Sequence, residues 1–533
     1  MIFNNFWKRI GLCVGLIGWL VAGNVPATFA QTDPEGFDRV INSPPTTIGD
    51  NFSIGSNTQL NVSDGGEVGF GFSAGSGSEV NISGGEVGSF AAGSGSEVNI
   101  SGGDFRSRID ALEGSVVNIF TGGFIGSQFV AAGGSTVNLS GGVLRGHTTA
   151  LAGSTINISG GQTAGCFTAR ADSTVVARSG KIGRSFSAES GSDVTFFGGE
   201  FLLNGAVPPD PSSVTLSAAD VLTGTFEDGS TFILSPDGAD FFNSVDLVEG
   251  ITLSPAALPT VDLNPIVITT PDDLVPNSLR AGQSLTFQTA ATLPRNFSAV
   301  GATLTFDSGG IAGAFDVSDS IVNINGGEIQ QGSVFRGTVS MEGGSIEVLS
   351  AQVGTTVDMS DGAIGFTALG ANSVFNLRGG TLGSGPFGTY RPTQIFAAAG
   401  GTLNLFVSEA SIDGVALDLE AGNMQVIEQR GFDIVLSGVL SDGSEFSLLL
   451  QQSPVVPAVG GDTFADGSTI TVTLDPVIIL GDVNGDRVVN FEDIPSFVAV
   501  LLAGVFQAEA DVNQDNKVDF EDIPRFVEIL LAA

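Results

Sequence analysis

Two short segments near the end of the chain place oxygen-bearing side chains at matched intervals. They start at Asp482 and Asp511, 29 residues apart (511 − 482 = 29). Positions one, three, five, nine and twelve carry side-chain oxygens, and position seven offers a backbone carbonyl: Asp482, Asn484, Asp486, Asn490, Asp493 and Val488 in the first loop, and Asp511, Asn513, Asp515, Asp519, Asp522 and Lys517 in the second. Calcium prefers about six to eight hard oxygen ligands. The spacing therefore predicts two Ca²⁺ ions, one in each loop.

A helical apolar pattern follows each loop. The apolar positions are Ile494, Phe497, Val498, Leu501 and Leu502 after the first loop, and Ile523, Phe526, Val527, Leu530 and Leu531 after the second. Pro495 and Pro524 fall in the first helical turn, where a missing amide proton costs little. One Asp/Asn-rich turn could arise by chance, but two copies that each lead into an apolar helix favour a pair of binding loops.

The duplicated loop and helix, with Asp at position twelve and a C-terminal location, resemble the dockerin family (type I-like) over about residues 481–533. The resemblance implies a small all-α domain folded around two calcium ions. It also implies docking onto a cohesin-like protein or another cell-surface scaffold, often within assemblies that degrade polysaccharides. The near-identity of the two halves indicates a two-fold binding face usable in either orientation.

Two departures from the family pattern matter. The glycine typical of position six is Arg487 in the first loop and Asn516 in the second. Because Asn tolerates the left-handed conformation better than Arg, we expect weaker calcium binding by the first loop. Positions ten and eleven, where dockerins commonly carry small polar partner-binding residues, are Phe491 and Glu492, and Phe520 and Glu521. Each phenylalanine is either an interface anchor or a cover for the helix pair.

The composition indicates a secreted, acidic, multidomain protein. The chain has 533 residues and a formal net charge of -38. Lys8 and Arg9 precede an apolar run from Ile10 to Ala22, and a short polar stretch then ends in Thr28-Phe29-Ala30, as in a secretory signal. Its removal takes away two bases and no acid, which leaves a charge of -40. We expect no membrane span after signal removal, no nucleic-acid binding and an extracellular or cell-surface location. Phenylalanine is the main aromatic residue, which favours interior stacking.

Repeats dominate the middle of the chain. Glycines that close Gly-Gly pairs or their variants recur about every nineteen residues in a first array and every 17 or 18 in a second: Gly66, Gly85, Gly103, Gly123, Gly142, Gly161, Gly180 and Gly199, then Gly310, Gly327, Gly344, Gly362 and Gly380. In Val80-Asn81-Ile82 apolar and polar residues alternate, as in a half-buried strand. Such units bury their apolar faces by stacking about 4.8 Å apart.

The arrays look like a parallel β-helix, an architecture shared by adhesins, polysaccharide lyases and hydrolases. The period favours a right-handed helix, since the hexapeptide rhythm of the left-handed form is missing. Segments that follow the two arrays match at a constant offset of 214, with Asp-Gly turns at Asp228 and Asp442 (442 − 228 = 214). We interpret the arrays as two copies of one module, each closed by a β-hairpin cap.

The expected organisation is mainly β: two parallel β-helix (β-solenoid) modules with β-hairpin caps, and a small all-α tail. The predicted segments are a signal peptide at 1–30, an N-terminal leader at 31–47, array one at 48–205, its cap at 206–254, a Pro-rich linker at 255–290, array two at 291–410, its cap at 411–479 and the dockerin-like domain at 480–533.

Catalytic side chains are scarce, so whether the chain is an enzyme stays open, with a non-enzymatic role favoured. The sole histidine, His147, lies in a repeat and suits a turn or surface position. Asp104, Arg106, Arg108 and Asp110 alternate along one stretch and form either a lyase-like or hydrolase-like cluster or a solvated face. We name no catalytic residue.

A regular polar surface is also expected. Stacking would align Asn81, Asn99, Asn118, Asn138 and Asn157 in a ladder. The ladder either supplies structural hydrogen bonds or offers a face for glycan or ice. Together these features favour a secreted, calcium-binding, dockerin-bearing solenoid that acts as a structural or attachment protein. The alternatives are a polysaccharide lyase or glycoside hydrolase delivered by its dockerin, and a glycan- or ice-binding adhesin.

Overall fold

The computed structural model describes residues 37–532, apart from 38, 127, 164, 184–185, 218, 237–247, 295–296, 384–393, 432, 453–462, 476–479, 485–487, 504–506, 508 and 514–516. The predicted signal peptide, residues 1–30, lies outside the described residues.

Over the residues that the structure describes, the chain is mainly β and winds as a parallel β-solenoid of about 17 turns, followed by two short helices. The strands of the described residues fall into two sheets of 26 and 22 strands. The first sheet holds β1 (Arg39–Ser43), β2 (Ser53–Ile54), β3 (Thr58–Val62), β4 (Glu67–Val68), β5 (Phe72–Ala74), β6 (Glu79–Ile82), β7 (Glu86–Val87), β8 (Phe90–Ala92), β9 (Glu97–Ile100), β10 (Asp104–Phe105), β11 (Ile109–Ala111), β12 (Val116–Ile119), β13 (Phe124–Ile125), β14 (Phe129–Ala131), β15 (Thr136–Leu139), β16 (Val143–Leu144), β17 (Thr148–Ala150), β18 (Thr155–Thr163), β19 (Phe167–Ala169), β20 (Thr174–Ile182), β21 (Phe186–Ala188), β22 (Asp193–Leu203), β23 (Val214–Leu216), β24 (Leu222–Phe226), β25 (Thr231–Leu234) and β26 (Val248–Pro255).

The second sheet and the helices complete the chain. The sheet holds β27 (Ile266–Ile268), β28 (Ser278–Leu279), β29 (Ser284–Phe287), β30 (Ala291–Thr292), β31 (Phe297–Val300), β32 (Thr303–Phe306), β33 (Gly310–Ser318), β34 (Ile321–Ile324), β35 (Glu328–Phe335), β36 (Thr338–Ala351), β37 (Thr356–Leu369), β38 (Val374–Leu377), β39 (Thr381–Leu382), β40 (Ile395–Ala397), β41 (Thr402–Ile412), β42 (Val415–Ala416), β43 (Met424–Val426), β44 (Val435–Leu440), β45 (Glu445–Leu449), β46 (Gln451–Gln452), β47 (Thr463–Phe464) and β48 (Thr469–Leu474). A 3₁₀ turn (Phe491–Asp493) leads into α1 (Ile494–Ala503), and α2 (Ile523–Ala532) follows.

Each early coil consists of short strands joined by tight turns, as the repeat predicts. Strand β6 pairs in parallel with β3 before it and with β9 after it, so that Asn81 lies beside Asn61 and Asn99. The alternation in β6 is also confirmed, because Val80 and Ile82 are buried while Asn81 is only partly buried. The coil-to-coil ladder therefore satisfies the backbone, and the inward residues fill the core.

Phenylalanine rings stack inside both sheets, as their abundance suggests. The ring centroids of Phe72 and Phe90 are 5.3 Å apart. Those of Phe287 and Phe306 are 5.2 Å apart, with planes only 4° from parallel. Parallel register imposes this arrangement, since equivalent positions of successive coils lie directly above one another.

Glycine is required at the corners of the coils. Gly85 has a φ of 79°, and a Cβ atom there would lie 2.5 Å from the carbonyl oxygen of Gly66 in the preceding coil. Gly161 has a φ of 71° and the same close approach to the carbonyl of Gly141. The glycine period of the sequence thus reflects both a left-handed backbone and close contact between coils.

Both Asp-Gly turns close antiparallel hairpins, β24–β25 and β44–β45. The turns have the same internal bond, in which an Asp carboxylate accepts the N–H two residues on. Asp228 accepts from Ser230 at 2.9 Å, and Asp442 accepts from Ser444 at 2.8 Å. Each hairpin pairs antiparallel with a late coil, through β22 in the first sheet and β41 in the second.

The solenoid extends beyond the segments expected for its arrays. Strand β1 lies within the expected leader and pairs in register with β3. Strands β27 to β29 lie within the expected linker, 255–290, and join the second sheet. Strand β48 lies within the expected second cap and β26 almost wholly within the first, and each adds a parallel coil after its hairpin. The prolines of residues 255–276 make strands difficult to recognise in this part of the sequence. In β29, buried Leu285 and Phe287 nevertheless alternate with more exposed residues.

Lys181, on β20, is a buried cation where the two sheets meet. Its ammonium group donates a hydrogen bond to the carbonyl of Asn277 and lies 5.7 Å from the ring centre of Phe297. Burial lowers the pKa of Lys181 to about 8, and the nearby charge of Asp316 opposes this shift. A charged lysine at neutral pH therefore costs stability in the folded chain.

This burial predicts an alkaline gain in stability. The ordinary pKa is 10.5, so between the two values the unfolded chain binds more protons than the folded one. The free energy of unfolding should rise with pH across this window, and the gain should be lost as the pH falls through about 8. Relative to Lys181→Met, the wild-type chain should gain on the order of 1–3 kcal/mol in urea denaturation.

The matched control is Lys517→Gln, because the Lys517 side chain is exposed. Its stability curve should follow that of the wild-type chain. If the Lys181→Met and wild-type curves run parallel from neutral pH to pH about 10.5, the assignment of the depressed pKa is wrong.

Candidate metal centre

The C-terminal tail has a hydrophobic core of its own. Val483, Phe497, Ala510, Val512, Phe526 and Leu530 form it. The rings of Phe497 and Phe526 occupy equivalent places in the two halves and stack with centroids 3.9 Å apart and planes within 7°. The backbone N–H of Gly481 donates to the carbonyl of Glu509 at 2.7 Å and joins the start of the first half to the end of the connection between the halves.

The first loop folds around the carboxylate of Asp493. This residue is fully buried, and its Oδ1 accepts the backbone N–H of Asn484 at 3.0 Å. Its Oδ2 accepts the N–H of Asn490 at 2.9 Å. The side chain of Asn490 in turn accepts the N–H of Glu492 at 2.6 Å. The side chains of Asn490 and Asp493 therefore form a reciprocal cap at the start of the helix.

The second loop repeats this arrangement. Asp522 is fully buried and accepts the N–H groups of Asn513 at 3.2 Å and Asp519 at 2.9 Å. Asp519 accepts the N–H of Glu521 at 2.8 Å. The position-twelve carboxylate thus organises each loop by gathering N–H groups from positions three and nine.

Each loop buries a second carboxylate at position one. Asp482 and Asp511 are buried, as are Asp493 and Asp522. Two buried carboxylates in a loop of twelve residues are costly unless a cation or hydrogen bonds compensate them. The donor set consists of hard oxygens, which fits Ca²⁺ better than metals that prefer nitrogen or sulfur.

The other predicted ligand positions are more open. Asn484 and Val488 are exposed in the first loop, as are Asn513 and Lys517 in the second, while Asn490 and Asp519 are partly buried. The position-five acids Asp486 and Asp515, with Arg487 and Asn516 at position six, lie outside the described residues. Among the residues that are described, no group of three or more His, Cys, Asp or Glu side chains is arranged to hold a metal.

Apolar side chains project from the outer face of both halves. Phe491 is 68% exposed and Phe520 is 72% exposed, so neither covers the helix pair. The remaining exposed members of the two stripes are Ile494, Val498 and Leu502, and Ile523, Val527 and Leu531. The neighbouring Glu492 and Glu521 are also exposed. The helical pattern predicted one buried face, but the helices are apolar on both sides, and this outer stripe is the feature that the sequence pattern missed.

The candidate catalytic stretch forms separate surface ion pairs. Arg106 bonds Glu86 of the preceding coil and lies 3.9 Å from Asp104. Arg108 donates to Asp110 at 2.7 Å. Burial raises the pKa of Asp110, although the hydrogen bond from Arg108 acts in the opposite direction. His147 is exposed, just before β17.

The predicted asparagine ladder is present and longer than expected. Asn157, Asn138, Asn118, Asn99, Asn81 and Asn61 each donate an amide hydrogen to the asparagine one coil earlier, over 2.8–3.1 Å, and the series ends at Asn42. Each internal amide therefore both donates and accepts, which accounts for asparagine in a structural role. Asn42 and Asn61 were missed because they precede the most regular repeats.

Comparison of the chain with known protein families, characterised proteins and solved structures finds no match. Within the described part of the chain, the helices are too short or too polar to cross a membrane.

The two loops generate a first prediction at this centre. In Asp493→Ala only the second loop keeps its buried pair of carboxylates, and in Asp522→Ala only the first loop does. Because Arg487 suits position six poorly, calorimetric titration should show weaker calcium binding by Asp522→Ala, by about tenfold. Equal affinities of the two variants would contradict the predicted inequality of the loops.

The ladder generates a second prediction. Asn118→Ala removes the hydrogen bond that Asn118 donates to Asn99 and the one that it accepts from Asn138. The free energy of unfolding should fall by about 1–2 kcal/mol in urea denaturation. Asn42→Ala is the matched control, because Asn42 is exposed and terminal and accepts one ladder bond. Equal small effects of both substitutions would show that the ladder adds little to stability.

Proposed function

We propose that the chain is a secreted, calcium-binding solenoid protein, attached through its C-terminal tail to a partner on a cell surface or in an extracellular assembly. The observation that carries this proposal is the twin loop, since each copy buries two carboxylates beside a helix with an exposed apolar stripe. Calcium would neutralise the buried carboxylates, and the ordered loops would hold the stripes in place.

The tail is proposed to be dockerin-like and its partner cohesin-like. Support comes from the equivalence of the halves, because Leu502 and Leu531 are 77% and 76% exposed, and Val498 and Val527 are 42% and 45% exposed. Exposed apolar stripes of this extent are typical of docking surfaces. In this proposal the exposed Phe491 and Phe520 anchor the contact, with the acidic Glu492 and Glu521 beside them.

The two sheets are proposed to be copies of one duplicated module that serves as a rod or spacer. Beyond the matching hairpins, each sheet has an arginine stacked on a phenylalanine beside its hairpin. The guanidinium of Arg178 lies 3.7 Å from the centre of the Phe197 ring, and that of Arg378 lies 3.5 Å from the centre of Phe406. Both arginines accept a hairpin N–H through their backbone carbonyl.

The attachment role predicts capture that depends on calcium and on the stripes. The full chain, used as bait for the surface fraction of the producing cell, should retain its partner with calcium and release it with chelator. Phe491→Ser combined with Phe520→Ser should lose most of the capture, at least about tenfold, because buried aromatic anchors contribute strongly to interfaces. Phe70→Ser is the matched control, since Phe70 is 53% exposed but lies on the solenoid.

Hydrogen exchange of residues 480–532 in the same samples separates folding from docking. Chelator should speed exchange there and leave the solenoid peptides unchanged, because only the loops hold the metal. Capture that is equal with calcium and with chelator, or tail exchange that is insensitive to calcium, would rule out the attachment mechanism.

The main rival function is a polysaccharide lyase or hydrolase delivered by the same tail. Incubation of the chain with calcium and a panel of acidic and neutral polysaccharides tests it. Chain cleavage that disappears in Asp104→Ala or Arg106→Ala would replace the non-catalytic proposal. The glycan or ice adhesin is a further alternative, which binding to a glycan array or inhibition of ice recrystallisation would support.

A further inference from the structure

The two sheets meet along a buried seam that the expected linker does not account for. Three kinds of contact cross it: a buried arginine, a buried lysine, and a hairpin of the first sheet packed on strands of the second. The chain has only 19 lysine and arginine residues against 57 acidic residues, and two of these few bases are buried at this one junction.

Arg280 joins three segments of the chain. It follows β28 of the second sheet and is buried, and its guanidinium bonds both carboxylate oxygens of Glu200 on β22, at 2.5 and 3.1 Å. It also donates to the carbonyl of Pro259, in the connection between the sheets, at 2.6 Å. The hydrogen bond from Arg280 lowers the pKa of Glu200. A two-pronged arginine–carboxylate bond of this kind fixes orientation as well as distance.

Lys181 crosses the seam in the opposite direction. It belongs to the first sheet, and its partners Asn277, Phe297 and Asp316 belong to the second sheet or lie just before its strands. Arg280 is thus paired with an acid of the other sheet, Glu200, while Lys181 is held by a backbone carbonyl of the other side with the charge of Asp316 nearby.

The β24–β25 hairpin completes the seam. Thr231 and Ser298 are buried and joined through their hydroxyl groups, which lie 2.8 Å apart, and the Ser298 hydroxyl lies 2.9 Å from the carbonyl of Thr231. Val221, just before β24, and Ile233 of β25 pack with Phe335 of the second sheet in a small separate core.

The connection between the sheets is packed as well. The N–H of Ala256 donates to the carbonyl of Gly198 at 2.6 Å. A side chain at Gly229 would lie 2.9 Å from the ring of Pro259, and one at Gly199 would lie 3.0 Å from Leu258. Residues 256–259 therefore lie against the first hairpin and the last coils of the first sheet.

We propose that Arg280, Lys181 and the β24–β25 hairpin act as a clamp that holds the two sheets in one fixed orientation. The chain is then a single rigid strut, in place of two rods joined by a semi-stiff tether. This conformational device is independent of the calcium loops and of any partner, since none of its residues belongs to the tail.

Distance measurements between spin labels test the clamp in the full chain. Labels are placed at Thr121→Cys in the first sheet and Glu342→Cys in the second, because Thr121 and Glu342 are exposed. The background carries Cys13→Ser and Cys166→Ser, so that the two labels are the only ones. Double electron–electron resonance should give one narrow distance distribution. Arg280→Gln combined with Thr231→Ala should widen it at least about twofold, since domains without a strong interface move relative to one another.

Arg170→Gln is the matched control, because Arg170 pairs with Glu189 at 3.0 Å on the surface of the first sheet alone. It should leave the distribution unchanged. A broad distribution in the otherwise wild-type chain would overturn the proposal by itself, even if the seam variant does not fold. An unchanged width in a seam variant with normal circular dichroism would overturn it as well.

Discussion

Parallel, in-register hydrogen bonding between successive coils is the constraint on which this structure depends. It places each residue directly above its equivalent one coil earlier, so every outward position must tolerate a column of its own kind. Asparagine does so because an amide both donates and accepts, and phenylalanine does so by stacking. A column of like charges is unfavourable, because neighbouring charges repel one another. Glu67, Glu86 and Asp104 form such an acidic column, and Arg106 bridges to the middle member. The low charged fraction of 14% follows from the same rule.

Much of the solenoid could be predicted from the sequence because its information is local and repeated. The glycine period, the alternation around Val80 and the Asp-Gly turns each correspond to one coil or one hairpin. Parallel strands continue past the expected ends of the arrays, where the repeat loses its glycines. Strands β27 to β29 are only two to four residues long, and the prolines before them obscure the apolar alternation. The long strands β36 and β37, of 14 residues each, merge units that the sequence suggests are separate.

Contacts between distant parts of the chain had no comparable signal. Arg280 and Glu200 are 80 residues apart, and Lys181 and Asn277 are 96 residues apart. None of these four residues belongs to a distinctive sequence pattern, and only the three-dimensional path of the chain brings the partners together. In the tail, the loop positions were readable because oxygen side chains are distinctive there. The buried and exposed faces of the helices could not be assigned from the sequence in the same way. Phe497 and Val498 are adjacent and both apolar, yet Phe497 is buried in the core and Val498 faces outward.

The burial of two basic residues has a consequence for proteolysis. Proteases that cut after lysine or arginine need an extended, accessible segment around the base. Lys181 is on a strand that is hydrogen-bonded to both neighbouring coils, and Arg280 is enclosed by Glu200 and the carbonyl of Pro259. Cleavage at either site would require local opening of the surrounding coils, which raises the free energy of the cleavable state. At these two bases the fold itself therefore opposes cleavage by trypsin-like proteases.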